Sequence, residues 1–179
     1  TLLCLKHKKP VLCEKPFAMN LEDVNEMIQV SKENKTLLME ALWTAFLPHF
    51  QYVQAVLKKN YFGKLLKLEA DFGCYSQYDE TSRLFDKSVG GGSLLDIGIY
   101  PIFAALSTLG EPNSIEAKAD FFQSGADSEC RMVFQYATAK TILKSTLLEE
   151  TETEAIFHCA HGTIKINGRF HEPASVHLI

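Results

Sequence analysis

The chain has 179 residues, of which 46% are hydrophobic and 22% charged, and its formal net charge at pH 7 is −4. An acidic balance without a basic cluster argues against nucleic acid as a partner. No uninterrupted apolar run reaches the roughly 18 residues of a membrane span, so no membrane partner is expected. The five scattered cysteines form no Cys-X-X-Cys pair, a pattern typical of reduced thiols in a cytoplasmic protein.

The first forty residues carry the pattern of an alternating α/β layer. A basic helix end is followed by a short apolar strand at residues 10–13, which we predict to be buried and parallel to its neighbour. Asn20 is predicted to cap the next helix, with Asp23 as a weak capping box, and that helix to end near Asn34. A second strand follows at residues 36–40. This order predicts the end of a layer of parallel strands.

After residue 40 the pattern changes to strands backed by helices. Pro48 suits the first position of a helix that runs to about residue 60. Alternation of apolar and polar residues predicts half-buried strands. These segments are residues 66–72, 115–122, 130–136 and 141–149. With a further hairpin around residues 161–162, the predicted fold class is α/β, ending in a mostly antiparallel open sheet.

The stretch GGGSLLDIGIYP at residues 90–101 combines three glycines, a carboxylate and a phenol. If a helix begins near Asp96, then Asp96 and Tyr100 share one face, with about 5–6 Å between their Cβ atoms. Gly98 between them would let a polyol or carbonyl substrate approach the backbone. In the structural alternative, Asp96 only caps a helix and Tyr100 is a half-buried core residue. Pro101 requires the helix to begin just before it or to kink there.

Polar residues also follow the first strand at its carboxyl end, the edge where open α/β sheets bind ligands. Lys15 places an ammonium there beside Glu14, and Pro16 ends the strand. The alternative is a surface salt bridge. Trp43 is the only tryptophan, and its structural interpretation is core packing.

Neither a metal site nor a dinucleotide fingerprint is predicted. His158 and Cys159 point to opposite faces of a strand, so they cannot bind one metal together, and no second cluster supports zinc. The glycines at residues 90–92 are not followed by Gly-Lys-Ser/Thr, so they form no P-loop, and Gly-X-Gly-X-X-Gly does not occur.

Three motifs in this order resemble one family: VLCEKP at residues 11–16, MEALWT at residues 39–44, and GGGSLLDIGIY at residues 90–100. They are similar to the glucose–fructose oxidoreductase, inositol dehydrogenase and MocA (Gfo/Idh/MocA) family, and most similar to its dimeric trans-1,2-dihydrobenzene-1,2-diol dehydrogenase branch. The resemblance implies the end of a Rossmann domain at residues 1–40 and a substrate and dimerisation domain at residues 41–179. It also implies a fragment of a longer protein, lacking most of the Rossmann domain and the C-terminal end.

The resemblance further implies an NAD- or NADP-dependent oxidoreductase acting on a hydroxyl or carbonyl of a diol, polyol or sugar. Lys15 would contact the nicotinamide ribose and the substrate, Asp96 would hydrogen-bond a substrate hydroxyl, and Tyr100 would exchange a proton with the substrate oxygen. Three residues would also line the cofactor: Glu14, Pro16 and Trp43, the last touching the substrate as well.

The proton chemistry fits these residues. A free phenol has a pKa of about 10, and a nearby ammonium such as Lys15 would lower the pKa of Tyr100 toward neutrality. We expect a homodimer or higher homo-oligomer through the sheet, and an inactive fragment. Two alternatives stay open: a non-catalytic relative that senses nucleotide or binds a partner, and a sugar-converting member that uses the same residues.

Overall fold

A computed structural model describes residues 1–179, which divide into two compact units, Thr1–Trp43 and Thr44–Ile179. The first unit contains two helices and two strands: α1 (Leu2–Lys6), β1 (Val11–Cys13), α2 (Leu21–Asn34) and β2 (Leu38–Glu40). The strands pair in parallel, with Cys13 opposite Glu40. The predicted order of elements and the parallel pairing are therefore confirmed. The prediction that the first strand is buried is wrong: Leu12 is 65% exposed, because β1 belongs to a sheet of only two strands.

The cap predicted for α2 is present. The Asn20 side chain accepts a hydrogen bond from the Asp23 backbone N–H at 2.8 Å, which satisfies a donor that the helix itself leaves unpaired. At the other end, Lys35 adopts a left-handed conformation with φ 49°, so the helix stops at Asn34.

The second unit is a seven-stranded sheet with helices. Its helical elements are α3 (Pro48–Lys58), a π-helical turn (Leu94–Gly98) and α4 (Ile99–Leu109). Its strands are β3 (Leu65–Gly73), β4 (Ser114–Phe121), β5 (Asp127–Gln135), β6 (Lys140–Thr146), β7 (Ala155–Cys159), β8 (Gly162–Ile166) and β9 (Val176–Leu178). Their order across the sheet is β4-β5-β6-β3-β7-β8-β9. Only β3 and β6 pair in parallel, so the predicted mostly antiparallel sheet is confirmed.

The two faces of this sheet differ in covering. On the helix-covered face, α4 packs on β3 and β6, and α3 packs on α4. This face is apolar and closed, with Leu68, Phe72, Leu143 and Phe157 among its buried side chains. Register places the neighbouring residues of each strand on the opposite face, which we call the open face.

β4 departs from the sequence prediction. Alternation predicts a half-buried strand, yet every residue of Ser114–Phe121 is exposed. The reason is position: β4 is the edge strand, whereas α4 packs on β3 and β6. On an inner strand, the side chains of Ile115 and Phe121 would be covered by the helices. On the edge strand β4 they are 57% and 64% exposed.

One apolar stretch bears on the membrane expectation. By length and composition, Lys87–Leu109 would be able to cross a membrane, since its most apolar window has a mean hydropathy of 1.5. Half of that window is buried inside the protein. The core helix of a globular protein passes the same test of length and composition, so this stretch is weak evidence for a membrane span.

Candidate active site

Residues 90–101, called here the glycine-rich segment, are anchored by a residue that the sequence analysis missed. Asp127 lies at the start of β5, and its Oδ2 accepts hydrogen bonds from Ser93 Oγ and the Leu94 N–H, both at 2.7 Å. Ser93 is fully buried, and its Oγ lies 3.0 Å from Ser145 Oγ on β6. Two strands of the sheet therefore fix the start of the segment.

Gly92 permits this anchoring. Its φ of +124° lies in a region that side chains with a Cβ rarely adopt. A Cβ on Gly92 would overlap the Asp127 carboxylate and lie 3.0 Å from the Asp127 backbone nitrogen. The glycine is needed here for both backbone conformation and close approach.

The segment then forms a π-helical turn, Leu94–Gly98, followed directly by α4. Asp96 is the third residue of that turn, and neither the turn nor α4 has a side-chain cap of its own. The structural alternative in which Asp96 caps a helix is therefore wrong, because Asp127 does the capping. Pro101 lies in the first turn of α4, where a missing N–H is tolerated, as its position predicts.

Gly98 has a different role from the one predicted. The residue is buried, and a Cβ there would come within 2.9 Å of Ser145 Oγ. The space that the sequence analysis reserved for a ligand is thus occupied by β6. Gly98 lets the segment lie closely on the sheet.

Asp96 and Tyr100 are both on this segment but in different environments. The Asp96 side chain is 25% exposed, and its Oδ1 lies 3.8 Å from Nη2 of Arg83, the first residue of a short 3₁₀ turn, Arg83–Phe85. Tyr100 is only 7% exposed, so it is buried rather than half-buried. Its ring centroid lies 5.6 Å from that of Phe72 and 4.8 Å from that of His171. The segment thus offers an accessible carboxylate and a firmly packed phenol.

His171 is the second residue that sequence reasoning missed. It is 4% exposed and stacks on Phe72 with a centroid distance of 4.3 Å. It lies outside every motif and 71 positions after Tyr100 in the sequence, so no local signal points to it.

Lys15 lies where it is predicted, after β1 at the carboxyl edge of the parallel pair. Residues 14–17, called here the Lys15 loop, are held to the end of β2. Glu40 Oε1 accepts a hydrogen bond from the Phe17 N–H at 2.9 Å, and the Ala41 N–H donates to the Cys13 carbonyl at 2.7 Å. Lys15 itself is partly buried.

Trp43 ends the first unit and is 45% exposed. Its interpretation as a core residue is therefore wrong. An exposed indole is available for stacking on a flat ligand. Lys15 and Trp43 belong to the first unit, and Asp96 and Tyr100 belong to the second.

Comparison with known proteins identifies the class. Residues 1–42 match an oxidoreductase family with an NAD-binding Rossmann fold, and residues 50–165 match the GFO/IDH/MocA C-terminal domain. Both matches are to domains of NAD(P)-dependent oxidoreductases. The chain belongs to the Gfo/Idh/MocA family, as its motifs predict.

Two relatives illustrate the range of that family. The chain is 33% identical over 178 residues to the trans-1,2-dihydrobenzene-1,2-diol dehydrogenase of Xenopus tropicalis, covering 98% of this chain and 53% of the relative. It is 33% identical over 183 residues to the scyllo-inositol 2-dehydrogenase (NADP(+)) IolU of Bacillus subtilis, covering 99% and 55%. The chain spans about half the length of these relatives.

Solved structures share the fold. The aldose-aldose oxidoreductase from Caulobacter crescentus, complexed with glycerol, matches with a TM-score of 0.91 at 21% identity, covering 99% of this chain and 55% of that one. A Y186F mutant of KijD10, a 3-ketoreductase from Actinomadura kijaniata, matches with a TM-score of 0.88 at 23% identity, covering 99% and 57%.

Proposed function

We propose that the complete protein transfers a hydride between NAD or NADP and a hydroxyl or carbonyl group of a diol, polyol or sugar. The observation that carries this proposal is the glycine-rich segment. It presents an accessible carboxylate, Asp96, and a packed phenol, Tyr100, on a backbone anchored to the sheet by Asp127. Fixed donors and acceptors of this kind suit a substrate with several hydroxyl groups.

The residues at the carboxyl edge of β1 fit a nicotinamide nucleotide. The Lys15 loop offers an ammonium and the Glu14 carboxylate, groups that hydrogen-bond ribose hydroxyls. Its place at the end of a parallel strand pair is where nucleotides bind in such layers. We assign Glu14, Lys15, Pro16 and Trp43 to the cofactor. When bound, the cofactor supplies the hydride chemistry.

Proton transfer is carried out by residues of this chain, whereas the cofactor carries the hydride. In the oxidation direction, the Tyr100 oxygen takes the proton of the substrate hydroxyl, and in reduction it returns that proton. The Lys15 ammonium favours the phenolate electrostatically, which brings proton transfer into the neutral range. Asp96 accepts a hydrogen bond from a substrate hydroxyl and so fixes which carbon reacts.

The test is a substrate panel on the complete protein, with NAD and NADP in parallel. The panel contains trans-dihydrodiols, inositols and aldoses, because the names of the relatives and of the solved structure above mention a dihydrodiol, an inositol and an aldose. We expect turnover of at least one class, lost in Lys15→Met, with Lys9→Met as the matched exposed control. Cofactor binding without turnover of any class would favour the non-catalytic alternative.

We propose further that two copies associate through the open face of the sheet. A groove of about 610 Å³ lies there, lined by side chains that include Glu116, Val133 and Ile142. Ile142 is 42% exposed although it lies on an inner strand. An exposed apolar strip on an otherwise charged face is typical of a subunit interface.

Light scattering at micromolar concentration tests the dimer. Ile142→Asp should yield a monomer, since a charge would be buried at the contact. Ile115→Asp is the matched control, because Ile115 is similarly exposed but lies on the other side of the sheet. A wild-type protein that is strictly monomeric would refute this interface.

A further inference from the structure

The mechanism above leaves unused a buried titratable group in contact with Tyr100. His171 lies in the loop between β8 and β9, and its ring is stacked on Phe72 at 4.3 Å with an interplanar angle of 27°. The same ring meets that of Tyr100 at 4.8 Å and 44°. Because Phe72 also contacts Tyr100, the three rings form one closed cluster.

The backbone around His171 is held firmly. Thr44, itself fully buried, donates through Oγ1 to the His171 carbonyl at 3.0 Å. Next to it, His49 Nε2 donates to the Phe170 carbonyl at 2.9 Å, and the Phe170 N–H donates to the Thr153 carbonyl at 3.0 Å. The imidazole therefore has a fixed place against the phenol, and it does not rest on a loose loop.

A carboxylate faces the other side of this imidazole. Glu172 Oε1 lies 3.5 Å from His171 Nε2, and Arg169 binds Glu172 through Nε at 2.9 Å and Nη2 at 2.6 Å. Hydrogen bonding from Arg169 lowers the pKa of Glu172, so the carboxylate stays charged at neutral pH. A carboxylate beside one ring nitrogen selects the imidazole tautomer and raises its basicity.

A phenyl ring would pack in this position as well as an imidazole does. Burying an imidazole costs free energy unless its nitrogens make hydrogen bonds or ion pairs, so packing alone does not explain a histidine here. The charged and titratable groups that face it include Glu172 from its own loop and Tyr100 from α4. Phe72 on β3 and Thr44 are uncharged. The Glu172 carboxylate favours the protonated imidazole, and a positive charge packed against Tyr100 favours the phenolate more than an uncharged phenyl ring would.

We propose that His171 is a positioning residue for the reaction, which holds the Tyr100 ring in place and, through the imidazole that Glu172 orients, favours the ionised phenol. This inference rests on the proposed function of Tyr100. Under this proposal, Arg169 holds Glu172, Glu172 orients His171, and His171 in turn sets the pH range in which Tyr100 transfers a proton.

The decisive variant is His171→Phe in the complete protein, because it keeps the stacked ring and removes the nitrogens. We expect kcat for oxidation at pH 7 to fall about tenfold, because the ascending limb of the pH profile moves up by about one pH unit. KM should stay within about twofold, as the substrate contacts are unchanged. His177→Phe, at an exposed position of β9, is the matched control and should leave both unchanged.

A double-mutant cycle separates positioning from packing. In the Tyr100→Phe background, His171→Phe should cost nothing further, since it acts through the phenol. Wild-type kcat and pH profile in His171→Phe would overturn the inference, and so would an equal loss in both backgrounds. If instead Tyr100→Phe keeps its turnover, the proposed function itself fails.

A measurement on the unmutated residue covers the case in which His171→Phe does not fold. The ring signals of His171 in an NMR titration should show the ionisation of Tyr100, and this inflection should vanish in Tyr100→Phe. If the His171 signals titrate identically in the wild-type protein and in Tyr100→Phe, the coupling between His171 and Tyr100 is refuted. This test does not depend on knowing a substrate.

Discussion

The glycine-rich segment and the Lys15 loop both carry residues of the proposed reaction, but they are built differently. The segment is anchored by Asp127 from β5, lies against Ser145 on β6 and ends in a buried phenol. In the Lys15 loop, the Phe17 N–H donates a side-chain hydrogen bond to Glu40 at the end of β2. The segment is packed against two strands of the large sheet, whereas the loop follows a strand of a two-stranded sheet.

This difference matches the tasks that we propose for them. A general base must lie within hydrogen-bond reach of the proton that it takes, so a displacement of 1 Å is damaging. An ammonium that acts through its charge tolerates larger displacements, since Coulomb energy varies slowly with distance. We therefore expect changes in the segment to have larger effects than changes in the loop.

The largest effect is expected at the end of the segment. Tyr100→Phe keeps the ring that packs on Phe72 but removes the oxygen that takes the proton. In the complete protein kcat should fall by about 10²–10⁴, the range of a positioned general base, with little change in KM. Steady-state kinetics on the folded variant measures this. The assignment is wrong if the variant keeps more than about a tenth of wild-type kcat.

At the start of the segment, Gly92→Ala should lower the free energy of unfolding by about 2–4 kcal/mol, because it adds strain at φ +124° to overlap with Asp127. Gly110→Ala is the matched control. That glycine also has a positive φ, +76°, but a Cβ there would meet nothing within 4 Å. In urea unfolding, Gly110→Ala should lower the free energy of unfolding by only about 1 kcal/mol. If both variants lose the same free energy, the overlap with Asp127 is unimportant.

The anchor itself comes next. Asp127→Ala leaves Ser93 Oγ and the Leu94 N–H without their acceptor and should cost about 1–3 kcal/mol of unfolding free energy. Asp120→Ala on the exposed strand β4 should stay within about 0.5 kcal/mol. If the two variants unfold at the same urea concentration, the segment has another anchor.

Sequence reasoning succeeded where the determinants are local. The cap at Asn20, the helix start at Pro48 and the helix stop at Gly110 each depend on residues within one turn. The motifs around Lys15 and Tyr100 are likewise contiguous, so they could be found by resemblance.

Sequence reasoning failed where a structural feature depends on residues that are distant in the sequence. Asp127 binds residues that lie 33 or 34 positions before it in the sequence. His171 contacts Tyr100, which lies 71 positions before it. Neither carries a periodic or motif signal. The exposure of β4 depends on its place at the sheet edge, which alternation alone does not encode. The pattern of a strand predicts its two faces but not whether anything covers them.

The smallest effect is expected in the Lys15 loop. Glu40→Ala removes the acceptor of the Phe17 N–H, which should cost about 1 kcal/mol or less, because the loop is partly exposed and water can replace the lost acceptor. Global unfolding should therefore hardly change, while hydrogen exchange of the amides at residues 14–17 should become faster. Glu40→Gln is the matched control, since its amide oxygen still accepts the bond and exchange should stay slow. In the complete enzyme, kcat/KM should fall only about threefold to tenfold in Glu40→Ala, as the ammonium is displaced rather than lost. A loss as large as that of Tyr100→Phe would show that Lys15 needs the same fixed geometry as the phenol, and the contrast between the two regions would fail.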